Sequence, residues 1–222
     1  MQLYRCIIVI HYPLTSVAKY SCCQLFLLFT CNAFCQLSAG LENYHYFDKK
    51  TGYTWVPSVH VINDKNLYTS VRYNYEEAAT FSAITGKSFN GGNTIKTVLT
   101  PAAGFAAGKY NGLILALNVD ISYRNLQFSS QGQYSFGLGN VDINSFYSWT
   151  DLSCKLSSLF SAGVALQQRN YGHSPLTADP GVFAELNFGR WSLPFYYFEI
   201  AGGENMIVAG INMEWEIKKN NK

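Results

Sequence analysis

The sequence predicts an all-β fold: a closed antiparallel up-and-down transmembrane β-barrel of about ten strands, within roughly eight to twelve. Three observations carry this. Apolar and polar residues alternate with period two along most of the chain after residue 65, as in GLILALNVDISYRN from Gly112 to Asn125. The alternating segments run to about 9–13 residues, the reach of a tilted membrane-crossing strand, whereas strands of ordinary sheets are nearer 5–6. The last six connections alternate short and long, as the two ends of an outer-membrane barrel do. A soluble sandwich also alternates, and strand length is what separates the two.

Composition agrees with diluted alternation. Of 222 residues only 14% are charged and 16% are aromatic, with 16 Tyr and 15 Phe, yet mean hydropathy is near zero. Residues 1–35 carry Arg5 and Lys19 and no acid, which leaves 14 basic and 14 acidic residues beyond them, out of 16 and 14 in the whole chain. That balance gives nucleic acid no basic patch.

The chain opens on a targeting segment. Lys19 precedes an apolar run from Cys22 to Phe34, the length of a signal-peptide core and too short to span as a helix. Residues 1–35 are therefore expected to be a signal peptide cleaved before Gln36, with Ala33 and Cys35 as the small residues at the site. Residues 1–16 precede a complete signal and read as an extension from a mis-assigned start. Thr30 and Phe34 stand before Cys31 and Cys35, where a lipoprotein signal needs a small residue. Only Cys154 lies beyond residue 35, so the mature chain forms no internal disulfide.

Residues 36–65 read as a periplasmic lead-in, within which YTWVPSVHVI (53–62) is a candidate further strand. The barrel is expected over 66–217. Its first strand, 66–75, places Leu67, Thr69, Val71, Tyr73 and Tyr75 on one face, with Arg72 and Asn74 on the other. Strand 76–89 has no clear register. Strand 95–109 is weakened by Pro101. Strand 112–124 turns Leu113, Leu115, Leu117, Val119, Ile121 and Tyr123 outward, and Asn118, Asp120, Ser122 and Arg124 inward. Segments 126–136, 145–156, 159–170, 181–189 and 205–217 alternate in the same way, and 191–200 is aromatic on both faces. GKSFNGGNT (86–94) is long where a short turn is expected. A polar tail, 218–222, closes the chain.

Lipid outside and a polar lumen inside account for the two faces. Backbone polar groups in hydrocarbon must pair internally, so a sheet crosses only as a closed barrel. A charge on its lipid face costs about 2–4 kcal/mol at mid-depth, and the assigned outer faces carry almost none. Tyr123, Phe136, Trp191 and Trp215 fall near strand ends as interfacial aromatics. The inward charges are Arg72, Asp120, Arg124, Asp151, Lys155, Arg169, Glu185, Glu214 and Glu216. With both signs interspersed in a narrow interior, they are expected to form an ion-paired network that fills the lumen.

Chemistry is sparse. His173 stands beside Ser174 and near Asp179, but in a loop of turn-forming residues, and sequence proximity is not triad geometry. SFNGGN has no Lys-Ser/Thr partner and no following helix, so it is no phosphate loop. No metal spacing is present. Neither an enzyme nor a cofactor is expected.

RYNYEEAATFSAITGKSF, LTPAAGFAAGKYNG, LNVDISYRNLQFSSQGQYSF, FYSWTDLS and GVALQQRN together resemble a family of small outer-membrane β-barrels of Bacteroidetes-like bacteria, itself without an assigned activity. The likeness covers roughly 66–217. It implies a barrel, the outer membrane and the barrel-assembly machinery as partner, and it transfers no catalytic residue. The tail KKNNK departs from barrels that end on an aromatic residue, and Trp215 is the nearest candidate for that signal. The leading expectation is a structural or surface-interaction barrel with a filled polar lumen. A narrow porin-like channel for small polar solutes is the alternative. A third reading, a soluble secreted barrel for an apolar ligand, requires the Leu113–Tyr123 face to point inward.

Overall fold

The computed structural model describes residues 37–49, 52–138, 143–200 and 204–217. The expected signal peptide over 1–35, with the expected extension over 1–16, and the expected polar tail 218–222 lie outside them.

The strands in chain order are β1 (Leu37–Asp48), β2 (Gly52–Asn63), β3 (Leu67–Tyr73), β4 (Thr80–Lys87), β5 (Phe89–Gly91), β6 (Lys96–Gly108) and β7 (Gly112–Tyr123). They continue as β8 (Leu126–Gly137), β9 (Ser145–Lys155), β10 (Phe160–Tyr171), β11 (Thr177–Phe188), β12 (Trp191–Ile200) and β13 (Glu204–Ile217). Every pairing is antiparallel and between chain neighbours, except that β4 pairs with β6 past the short β5 and that β1 pairs with β13, which closes the ring. β4 and β5 pair with β6 in one unbroken register, Gly86 opposite Ala102 and Phe89 opposite Leu99, so they are one stave interrupted at Ser88. The barrel thus has twelve staves. With an even number, both ends of the described chain lie at the same end of the barrel, here the terminal end.

The expected strands fall where the alternation placed them, and three local readings change. Within 36–65, expected as a lead-in with 53–62 as a candidate further strand, the candidate is stave β2, and 37–48 form a stave of their own, β1. The GKSFNGGNT segment is no long turn, because Phe89–Gly91 belongs to the sheet and the connection is 92–95. Tyr75, expected outward, lies in the 74–79 connection and turns into the interior. Pro101 finds its place opposite Lys87, next to the interruption of the β4/β5 stave. There the Ser88 and Thr100 hydroxyls bond at 2.8 Å across the gap.

The Leu113–Tyr123 face points outward. Leu115 is 55% exposed to the surroundings while its neighbour Ile114 is 1% exposed. The soluble-carrier reading needed the reverse and is corrected. So broad an exposed apolar band belongs against lipid. Two clusters fill the inside. Ile84, Ala102, Ala106 and Ile114, with Tyr110, pack on the β4–β7 wall, and Phe183, Tyr196, Phe198, Met206 and Val208 on the β11–β13 wall.

Candidate functional site: the barrel interior

Inward alternation from many staves builds the interior in three zones. A cavity of about 940 Å³ opens at the terminal end. Glu42 of β1, Asp151 of β9, Glu185 of β11, and Glu214 and Glu216 of β13 line it, with Arg190 from the β11–β12 turn. Asp151 accepts from the Trp149 indole N–H at 2.8 Å and the Tyr196 hydroxyl at 3.0 Å. Glu42 accepts from the Ser58 hydroxyl at 3.1 Å.

Aromatic rings, Tyr44, Tyr46, Tyr75, Trp149 and Tyr196, form the inner wall of that cavity. Tyr44 and Tyr46 of β1 lie 6.0 and 6.2 Å from Trp149 of β9, ring centre to ring centre. β9 stands five places from β1 in the ring, so these contacts cross the lumen. Trp149 also packs edge-on against Tyr196 and Phe198, at 4.8 and 5.1 Å. A second crossing joins Tyr75 to Tyr147 of β9 at 5.6 Å. The Arg72 guanidinium covers the Tyr75 ring at 4.0 Å. Its Nη2 meets Glu76 Oε1 at 2.5 Å, and its Nε donates to the Ser82 hydroxyl at 3.2 Å.

The third zone is a cavity of about 320 Å³ at the far end, bounded by Glu76, Lys109, Tyr110 and Tyr171 among others. Burial raises the Tyr110 phenol above its ordinary range, so it stands there as a neutral group.

The expected charge network is not one network. Asp151, Glu185, Glu214 and Glu216 share the terminal-end cavity. Arg72 and Arg169 pair instead with Glu76 and with Asp179, the latter at 3.1 Å. Asp120 accepts from the Ser129 hydroxyl at 2.8 Å. Arg124 is corrected to an exposed turn residue, with φ 53° and its guanidinium 5.2 Å from the Tyr123 ring. Lys155 is exposed at its strand end. Among the described residues no ion pair joins two members of the expected set. The sequence reading assigned neither Glu76 nor Asp179 to an ion pair. Glu76 follows Arg72 by four residues, and Asp179 is a diagonal neighbour of Arg169 in the β10–β11 register.

Tyr123 and Trp191 are exposed at the terminal end and Phe136 at the far end, while Trp215 is half-buried and rims the larger cavity with Trp191. His173 sits in the 172–176 connection, whereas Asp179 is fully buried in β11 and bound to Arg169, so no triad forms there. No group of three or more His, Cys, Asp or Glu among the described residues is placed to hold a metal.

A closed barrel of twelve antiparallel staves, apolar outside and polar within, is the architecture of porins. The chain is similar in structure to the KdgM porin, with a TM-score of 0.59 at 9% identity over 78% of this chain and 98% of that one. The KdgM porin in complex with disordered oligogalacturonate gives 0.60 over the same shares. The NanC porin gives 0.56 at 9% identity, again over 78% and 98%. Likeness at this identity speaks for the fold. No protein-family model and no curated protein sequence matches the chain.

Proposed function

We propose that the chain is exported by a signal peptide cleaved before Gln36 and spans the outer membrane, with its terminal end in the periplasm and a lumen closed by the aromatic layer. Its role is then structural, or lies in contacts at the cell surface. One observation supports the closed lumen: rings meet across it, Tyr44 and Tyr46 of β1 against Trp149 of β9, and Tyr75 of the 74–79 connection against Tyr147 of β9. The test is fractionation of expressing cells, gel migration with and without boiling, and conductance in planar bilayers. Outer-membrane recovery, a heat-modifiable band and electrical silence are expected. Steady conductance from the unaltered protein would overturn the closed lumen, and recovery in the soluble periplasm would overturn the membrane assignment.

The porin fold and the open 940 Å³ cavity favour a second reading, a narrow channel gated by that layer. Its charge then argues for cations. Glu42, Asp151, Glu185, Glu214 and Glu216 face Arg190, a lining that repels a polyanion such as the oligogalacturonate seen with the KdgM porin. Solute-dependent conductance under an applied potential separates the two readings.

A further inference from the structure

Charge is distributed differently at the two ends of the barrel. Among the described residues, exposed cations stand at or beside the terminal-end turns: Lys65, Lys87, Lys96, Arg124, Lys155 and Arg190. Lys65, Lys87, Lys96 and Arg124 share one arc of the rim, from the β2–β3 turn to the β7–β8 turn. Asp64 is the one acid in the turns of that arc among the described residues. Glu185, Glu214 and Glu216, also toward this end, line the cavity inside instead. The far end mixes signs, with Lys49 and Lys109 against Glu77 and Glu199.

The cations of this arc sit against apolar surface that faces lipid. Leu67 opposes Lys87 across the β3–β4 pair, and Phe89 follows Lys87 on the same face of the stave. Leu67 and Phe89 are both about half exposed, as are Ile95 beside Lys96 and Leu126 beside the β7–β8 turn. The Lys87 ammonium lies 6.0 Å from the Phe89 ring centre, and the Arg124 guanidinium 5.2 Å from that of Tyr123. A cation held near a lipid-facing ring at a strand end suits the bilayer interface, where the stem stays in the apolar layer and the charge reaches the headgroups.

Rings and charge together narrow the neighbour. The apolar belt of Leu67, Phe89 and Tyr123 requires acyl chains against it, so the molecules nearest the cations are lipids. Lys65, Lys87, Lys96 and Arg124, with Asp64 alone opposing them in those turns among the described residues, then select a headgroup of net negative charge. We propose that this arc binds the phosphate headgroups of anionic phospholipids, such as phosphatidylglycerol, in the leaflet around the terminal end. The inference rests on the outer-membrane reading above, in which that leaflet is periplasmic, and it holds whether or not the lumen conducts.

The experiment folds the mature barrel into nanodiscs of equal phosphatidylglycerol and phosphatidylcholine, with insertion confirmed by heat-modifiable migration. Native mass spectrometry then reads which lipid stays on the barrel. Phosphatidylglycerol is expected to exceed phosphatidylcholine at least about fivefold, the attraction that one cation contributes near an anionic surface. The variant combines Lys65→Gln, Lys87→Gln, Lys96→Gln and Arg124→Asn. These side chains are exposed and asparagine suits the φ of 53° at 124, so the fold is kept. Its lipid ratio is expected to fall to near parity, whereas Lys49→Gln with Lys109→Gln at the far end is expected to keep the excess. An inserted parent without preference, a four-site variant that keeps the full excess, or a far-end variant that loses it equally overturns the inference and leaves the membrane reading standing. A parent that does not insert overturns both. The leaflet is tested in cells by an epitope placed in the 92–95 connection, expected to be detected only after the outer membrane is permeabilised. Detection on intact cells would set the arc against lipopolysaccharide and overturn the inference.

Discussion

At the scale of single residues, the 74–79 connection decides what the interior contains. It places Tyr75 in one cavity and Glu76 in the other, and Arg72 braces both. A buried ion pair adds little over an apolar pair of the same volume, but a lone buried charge is costly. Arg72→Leu is therefore expected to lose about 3–5 kcal/mol, read as a lower urea midpoint for loss of the heat-modifiable band. Arg72→Leu combined with Glu76→Met is expected to recover most of it, and a double variant no better than the single one would refute the pairing argument. Ala79 offers the converse change. Its φ of 54° suits glycine, and Ala79→Gly is expected to gain up to about 1 kcal/mol by the same urea titration, after the entropy glycine adds to the unfolded chain. Alternation could not show any of this in advance, because it marks Arg72 as inward but says nothing of a connection that folds back into the lumen.

At the scale of elements, legibility followed the sign of the alternation. β7 carries leucines outward and Asn118 and Asp120 inward, so strand and face both followed from sequence. β1 reverses the code. Its inward face holds Tyr44 and Tyr46 beside Glu42, and its outward face holds Asn43 and His45. Those outward polar groups satisfy one another, Trp55 Nε1 donating to Asn43 and His45 Nδ1 meeting the Tyr53 hydroxyl at 2.7 Å. A pattern that assigns rings to lipid and amides to the lumen cannot read such a strand, whereas β2 was open to it as the candidate strand 53–62. The β4–β6 seam rests on a different feature, close backbone approach. A Cβ on Gly104 would strike the Ala83 carbonyl oxygen and lie 2.6 Å from Ile84 Cα. Both obstacles are backbone and cannot yield, so Gly104→Val is expected to block pairing of β4 with β6 and abolish the heat-modifiable band. Gly132→Ala, whose Cβ would meet nothing nearer than 3.9 Å, is the control expected to fold. A folded Gly104→Val barrel would show that the seam tolerates separation.

At the scale of the whole molecule, the question is how a porin-like wall relates to an interior that rings cross. The wall is held by a closed ladder of backbone pairs, β1 to β13 included, and this does not depend on the side chains inside. The aromatic layer can then be removed without undoing the barrel. Tyr46→Ala with Trp149→Ala takes away one partner from each side of the crossing and leaves the strand backbones unchanged. It also removes one of the two donors that hold Asp151, leaving the Tyr196 hydroxyl on its other oxygen. The double variant is expected to keep its heat-modifiable band and to show discrete conductance steps where the parent is silent. Because Glu42, Asp151, Glu185, Glu214 and Glu216 outnumber Arg190 along the widened route, the reversal potential in a salt gradient is expected to favour cations. Glu42→Gln with Glu185→Gln in that background should move it toward zero. Anion preference would refute the charge argument. A folded but silent double variant would shift the closure to the Tyr75–Tyr147 crossing and the Arg72–Glu76 pair beside it, where Tyr75→Ala is the corresponding opening.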